Sequence, residues 1–145
     1  MDAFLGSWRG TVRTWMGEDP VVSEMSGTFR RLFDKGTVVH EYRSNVGDHR
    51  SDGMTVLGID IATNRGCITW VDTFHTGSNV LVGAADDRQI EGGTSYRASY
   101  AAGDQMWGWR IVFRTIGPDE MVMEHFNISP DGTEERAIEV QYRRV

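Results

Sequence analysis

Apolar and polar residues alternate over short stretches of this chain and nowhere sustain a helical period. Segments 38–42, 54–59, 67–72, 109–113, 121–126 and 137–142 are rich in β-branched and aromatic residues, and 4–11 reads the same way. Between the segments lie turn-forming clusters: Gly47-Asp48, Asn64-Arg65-Gly66, Gly92-Gly93, Gly103-Asp104, Gly117-Pro118-Asp119 and Ser129-Pro130-Asp131-Gly132. No linker or low-complexity stretch separates them. The pattern predicts an all-β fold, a single antiparallel up-and-down barrel of about eight to ten strands, with residues 1–145 forming one domain. At 84–88 it also allows a short turn of helix.

Alternation assigns faces as well as strands. With Trp8 inside, Gly6, Gly10, Val12 and Thr14 share the inner face, and Ser7, Arg9, Thr11 and Arg13 face water. Gly6 and Gly10 then flank the indole and leave it room to plug one end of the barrel.

Composition narrows what such a barrel meets. A domain of this length buries about 68–70% of the surface its unfolded chain exposes, so it needs no staples. The one cysteine, Cys67, has no partner for a disulfide or a Cys-x-x-Cys site, which points to a reducing, cytoplasmic setting. No apolar run reaches the roughly 18 residues of a spanning helix, and the amino terminus lacks a basic region followed by an apolar stretch, so no membrane is expected. Fifteen basic against twenty-one acidic residues give a formal charge of −6, which repels nucleic acid unless cations cluster. Arg30-Arg31 and Arg143-Arg144 are the dense clusters, and neither is interleaved with aromatics, so nucleic acid is not an expected partner. A monomer or a homodimer is expected.

The opening Gly6-Ser7-Trp8 and the closing Tyr142-Arg143-Arg144 together resemble the calycin superfamily of lipocalins, fatty-acid-binding proteins and avidins. In that superfamily an arginine of the last strand packs across the tryptophan of the first, which implies structural roles for Gly6, Trp8 and Arg143 or Arg144. Across nearly the whole chain it also resembles a bacterial family of uncharacterised lipocalin-like barrels, a domain of unknown function. The residues carrying that likeness are Gly58-x-Asp60-x-x-Thr63-x-x-Gly66, Trp70-x-Asp72, Gly132, and Glu139-x-x-Tyr142-x-Arg144. More distantly it is similar to nitrobindin, which binds haem through a histidine of its last strand. Here Val12 replaces the third glycine of that pattern, and Ala137 stands where the resemblance puts the haem histidine. Ferric haem would have no proximal ligand there, so no cofactor is expected.

Candidate chemistry sits on three strands. His40 and Tyr42 share a face opposite Glu41 and Arg43, and an exposed Arg43 costs less than a buried one. His40 and Tyr42 are therefore inward candidates, with a rim histidine making one hydrogen bond as the alternative. Trp70 and Asp72 share a face with Ile68. A buried carboxylate must be paired or hydrogen-bonded, and Arg97, Arg110 and Arg114 are possible partners. Asp72 either anchors a strand end through backbone amides or orients His40 or His125 as an acid/base group. His125 shares its face with Met121 and Met123, soft side chains suited to an adaptable pocket or to core. Glu139 shares a face with Ala137 and Gln141, and the likeness to nitrobindin implies that this face is inward. His49 and His75 lie near strand ends or loops, where a solvated imidazole is the expectation. The histidines and acids show no metal-ligand spacing, and no phosphate loop, dinucleotide fingerprint or nucleophile elbow occurs, so no metal site is predicted. The one lysine, Lys35, falls in the Asp34-Lys35-Gly36 turn, which argues against Schiff-base chemistry.

Two functions follow. In the first, the cavity binds a small hydrophobic or aromatic molecule, with Tyr42, Trp70, Trp109, Met121, Met123 and Glu139 around it. In the second, His40, Asp72 and His125 act as acid/base groups of a small barrel enzyme carrying out an isomerisation or cyclisation. Trp70 and Trp109 serve either as flat ligand walls or as core of a barrel with no cavity.

Overall fold

The computed structural model describes residues 1–33 and 36–145. Lys35, assigned above to a turn, lies outside the described residues together with Asp34. Ten antiparallel strands form one closed barrel: β1 (Gly6–Trp15), β2 (Pro20–Arg31), β3 (Val38–Val46), β4 (His49–Asp60), β5 (Arg65–Asp72), β6 (Leu81–Ala85), β7 (Gly93–Ala102), β8 (Gln105–Gly117), β9 (Glu120–Ile128) and β10 (Glu134–Arg144). Each strand pairs with its neighbours in sequence, and β10 closes on β1.

Several connections are the two-residue hairpins that the turn chemistry predicts. Gly47-Asp48 joins the Val46–His49 pair, Gly103-Asp104 joins Ala102 to Gln105, and Pro118-Asp119 joins Gly117 to Glu120. Gly47 and Gly103 adopt φ of +59° and +61°, the conformation a tight hairpin needs and a side chain resists. The segment 84–88 is not helical. Leu81–Ala85 is instead a short strand, held by β5 on one side and β7 on the other.

One end of the barrel is sealed by aromatics. A single 3₁₀ turn, Asp2–Phe4, drops the Phe4 ring onto Phe29 and Phe113, with centroids 6.0 and 6.1 Å away. The Phe4 carbonyl accepts a 2.8 Å hydrogen bond from Trp8 Nε1, so the buried indole has no unpaired donor. The Arg144 guanidinium lies 4.2 Å from the centre of the indole. It also donates to the carbonyls of Leu5 and Ala3 and to Asp119. A Cβ on Gly6 would come within 2.6 Å of that guanidinium, so this glycine clears the arginine rather than the indole. Arg143 points outward to Glu120 and takes no part in the plug, because successive residues of a strand face opposite sides.

The interior is packed. Val12, Met25, Leu57, Ile68, Ile111, Met121, Met123, Ile138 and Val140 fill it, and a void bordered by Met123, Asp72 and His125 measures only about 10 Å³. That is about the room one water molecule needs. The expected interior ligand cavity is therefore replaced by core, with Met121 and Met123 as filling.

Trp8→Ala should lower the unfolding free energy by about 3–5 kcal/mol, as a large-to-small core change. Arg144→Lys should cost about 1–2 kcal/mol, because an ammonium cannot stack on the indole and serve the same carbonyls together. Urea denaturation of both variants checks these values.

Candidate functional site

The barrel wall has a seam at its other end. β6 pairs with β5 only from Cys67 to Trp70 and with β7 only from Tyr96 to Ala98. Beyond Ala98, β7 continues to Ala102 without a partner on that side, and the turn residues 73–80 arch over the gap. A half-open cleft of about 530 Å³ results, bordered by Trp70, His75, Leu81, Tyr100 and Trp109. The rings of Trp70 and Trp109 lie 5.4 Å apart and 18° from parallel at its inner side.

Behind these indoles runs a buried polar chain. Trp70 Nε1 donates to the Tyr42 hydroxyl at 2.9 Å, and that hydroxyl donates to Asp72 Oδ2 at 3.3 Å. The same oxygen faces His75 Nδ1 at 2.8 Å, while Asp72 Oδ1 accepts the backbone N–H groups of His75 and Thr76 at 2.5 and 2.9 Å. Burial pushes the Asp72 carboxyl up, but these donors and the neighbouring imidazole outweigh it and hold the group below the usual carboxylate range. The glycines make room for this chain. A Cβ on Gly53 would fall 2.1 Å from Tyr42 Cζ, and one on Gly27 would fall 2.7 Å from both His40 Nε2 and the Tyr142 hydroxyl.

Three histidines occupy different environments. His40 is wholly buried, stacked on Phe29 at 3.9 Å and paired through Nε2 with the Tyr142 hydroxyl at 3.2 Å. Burial lowers it to about 3. His125 accepts from Trp109 Nε1 on Nδ1 at 3.1 Å; an indole can only donate, so the neutral ring carries its proton on Nε2. Burial, with the nearby His75 adding to it against the pull of Asp72, lowers His125 to about 3 as well. His75 differs, since 19% of its side chain is exposed and it borders the cleft.

Over residues 1–144 the sequence matches the family described as Protein of unknown function (DUF1579). The chain belongs to that family. No curated protein matches it.

In this DUF1579 barrel, His40, Asp72 and His125 all face the interior, but Asp72 contacts neither histidine. Its partner is His75, and none of Arg97, Arg110 or Arg114 reaches it: Arg110 pairs with Glu134 and Arg114 with Glu124, both on the outer face. Glu139 also lies outside, between Arg13 and Arg136, so it is not a cavity carboxylate. The register shift between Arg136 and Ile138 explains this, because it absorbs one residue at Ala137 and turns Ile138, Val140 and Tyr142 inward. Gly53 carried no signal in the sequence, Tyr142 was marked only as part of the closing motif, and His75 was expected to be solvated, whereas it is tied to Asp72. His75 follows the strand by three residues, where alternation no longer assigns a face; the carboxylate at Asp72 was the available signal, as an acid that needed a nearby donor.

Two outcomes are expected. The unfolded chain protonates His40 and His125 near pH 6.5 whereas the folded chain holds them neutral to about 3. Stability should therefore be full above about pH 6.5 and fall toward pH 3, by up to about 1.4 kcal/mol per pH unit for each histidine. The contribution of Asp72, present above its unfolded pKa, is lost at the acid end as pH drops through its lowered folded value. Urea titrations across that window should show the full slope for the native chain and a shallower one for His125→Gln or His40→Gln. Separately, Gly53→Ala should cost about 1–3 kcal/mol through overpacking against Tyr42, read from the same titrations.

Proposed function

We propose that this chain is a calycin-type binding protein that takes a small, flat, mostly apolar molecule, held in the cleft at the barrel mouth rather than in the interior. The observation that carries this reading is the pair of near-parallel indoles, Trp70 and Trp109, beside a cleft of about 530 Å³ with His75 as a polar anchor. Pockets for small ligands have this size and this mix of apolar wall and few polar groups. The calycin affinity is supported by Arg144 lying across Trp8. Its location in the cytoplasm is supported by the single cysteine of the chain, Cys67, which forms no disulfide.

An enzyme reading is favoured by one contact, that between Asp72 and His75. His40 and His125 are neutral, deeply packed groups that hold the network in place, and in this reading neither moves a proton at neutral pH.

Tryptophan fluorescence titrated with naphthalene, indole and anthracene tests the binding proposal. Saturable quenching by at least one probe is expected, and Trp109→Leu should weaken it roughly tenfold, the magnitude of a lost aromatic pair. Absence of saturable binding by all three would reject it.

A further inference from the structure

We propose that the ligand of the mouth cleft carries a weakly acidic hydroxyl, and that His75 Nε2 accepts the proton of that hydroxyl while Asp72 holds the imidazole in place. This rests on the binding reading above and adds the chemical class of the ligand.

The argument starts from hydrogen-bond arithmetic at Asp72. Both carboxylate oxygens are occupied by donors: two backbone N–H groups on Oδ1, and the Tyr42 hydroxyl and His75 Nδ1 on Oδ2. An ionised carboxylate only accepts, so the proton of the neutral imidazole must sit on Nδ1. Nε2, on the far side of the ring, is left with a lone pair. The backbone N–H of His75 is tied to the same carboxylate, so the residue is fixed at two points and its ring has little freedom to turn.

The ring also stands where a stacked ligand would meet it. Its centroid lies 5.7 Å from that of Trp70 and 6.0 Å from that of Trp109. Among the described residues the cleft lining contains no lysine, arginine or carboxylate, and the Tyr100 hydroxyl is already donating to Asn127 at 2.7 Å. The titratable groups around His75 are Asp72 on β5, Tyr42 on β3, Tyr100 on β7 and His125 on β9. Of these only Asp72 is charged at neutral pH: burial holds His125 neutral and raises the two phenols.

Those facts discriminate between ligand classes. A carboxylate or a ketone brings only acceptors to the lone pair of the uncharged ring. A wholly apolar ligand leaves Nε2 without a partner. A phenol or an enol meets both demands, with a flat face for the indoles and an O–H for Nε2. When the proton moves, the O–H bond breaks, its electron pair stays on oxygen, and the proton bonds to the Nε2 lone pair. The result is an oxyanion beside an imidazolium whose other N–H faces Asp72.

The test uses 4-nitrophenol, whose anion absorbs visible light, and nitrobenzene, the same ring without the hydroxyl. Tryptophan quenching should show that both bind. At a pH about one unit below the free phenol's midpoint, the native chain should raise the anion absorbance and lower the midpoint of the bound probe by about one unit, a tenfold shift in the proton equilibrium. At probe concentrations that saturate each protein, His75→Gln should abolish that shift; Asp72→Asn, checked for native circular dichroism, should reduce it. Binding of 4-nitrophenol with no gain in anion absorbance, or an equal gain in His75→Gln, would overturn this inference and leave the binding reading standing. Failure of both probes to bind would overturn the two together.

Discussion

Closing a sheet on itself leaves each strand with two partners and encloses a volume, which side chains fill in this barrel. The β1–β10 ladder performs the closure here, and Arg144 secures it by lying on Trp8 while binding carbonyls of the opening turn and an acid of the β8–β9 hairpin. A cation placed between an aromatic face and backbone oxygens satisfies groups from three parts of the chain at once. With that end sealed, access is confined to the opposite rim.

The filling is not wholly apolar. Four aromatic side chains of the interior also make a hydrogen bond: Trp8 to a backbone carbonyl, Trp70 to Tyr42, Trp109 to His125 and Tyr142 to His40, while His40 Nδ1 and His125 Nε2 stay without a partner among the described residues. Such pairs carry large packing area and a hydrogen bond in one side chain. The histidines in this layer are neutral packing groups, whereas His75, at the rim, is the one tied to a charge among the described residues.

How much of this was legible in the sequence varied with the physics involved. Period-two alternation, β-branched composition and glycine turns are local, so the barrel and several hairpins could be read directly; alternation put His40 with Tyr42 and Trp70 with Asp72 on shared faces, but which face of those strands is inner depends on how the barrel closes. Glu139 was misassigned because a bulge at Ala137 shifts the alternation, and a bulge leaves no local mark when its extra residue is an alanine. The filled interior was open from sequence, since the number of large side chains does not say how a particular curvature spaces them. His75 needed tertiary knowledge: its position depends on a turn that folds back onto its own strand end. Gly27 and Gly53 carried no sequence signal, because the rings that need their missing side chains, those of His40, Tyr142 and Tyr42, come from other strands.

The short β6 has a dynamic meaning. Every other strand is zipped along most of its length, while β6 is held by a few ladder bonds on each side and presents Val82 outward, where it packs little core. Local opening costs least where few bonds and little buried apolar area are lost. This strand is thus the loosest stave of the barrel, and amide exchange in Leu81–Ala85 would be faster than in its neighbours.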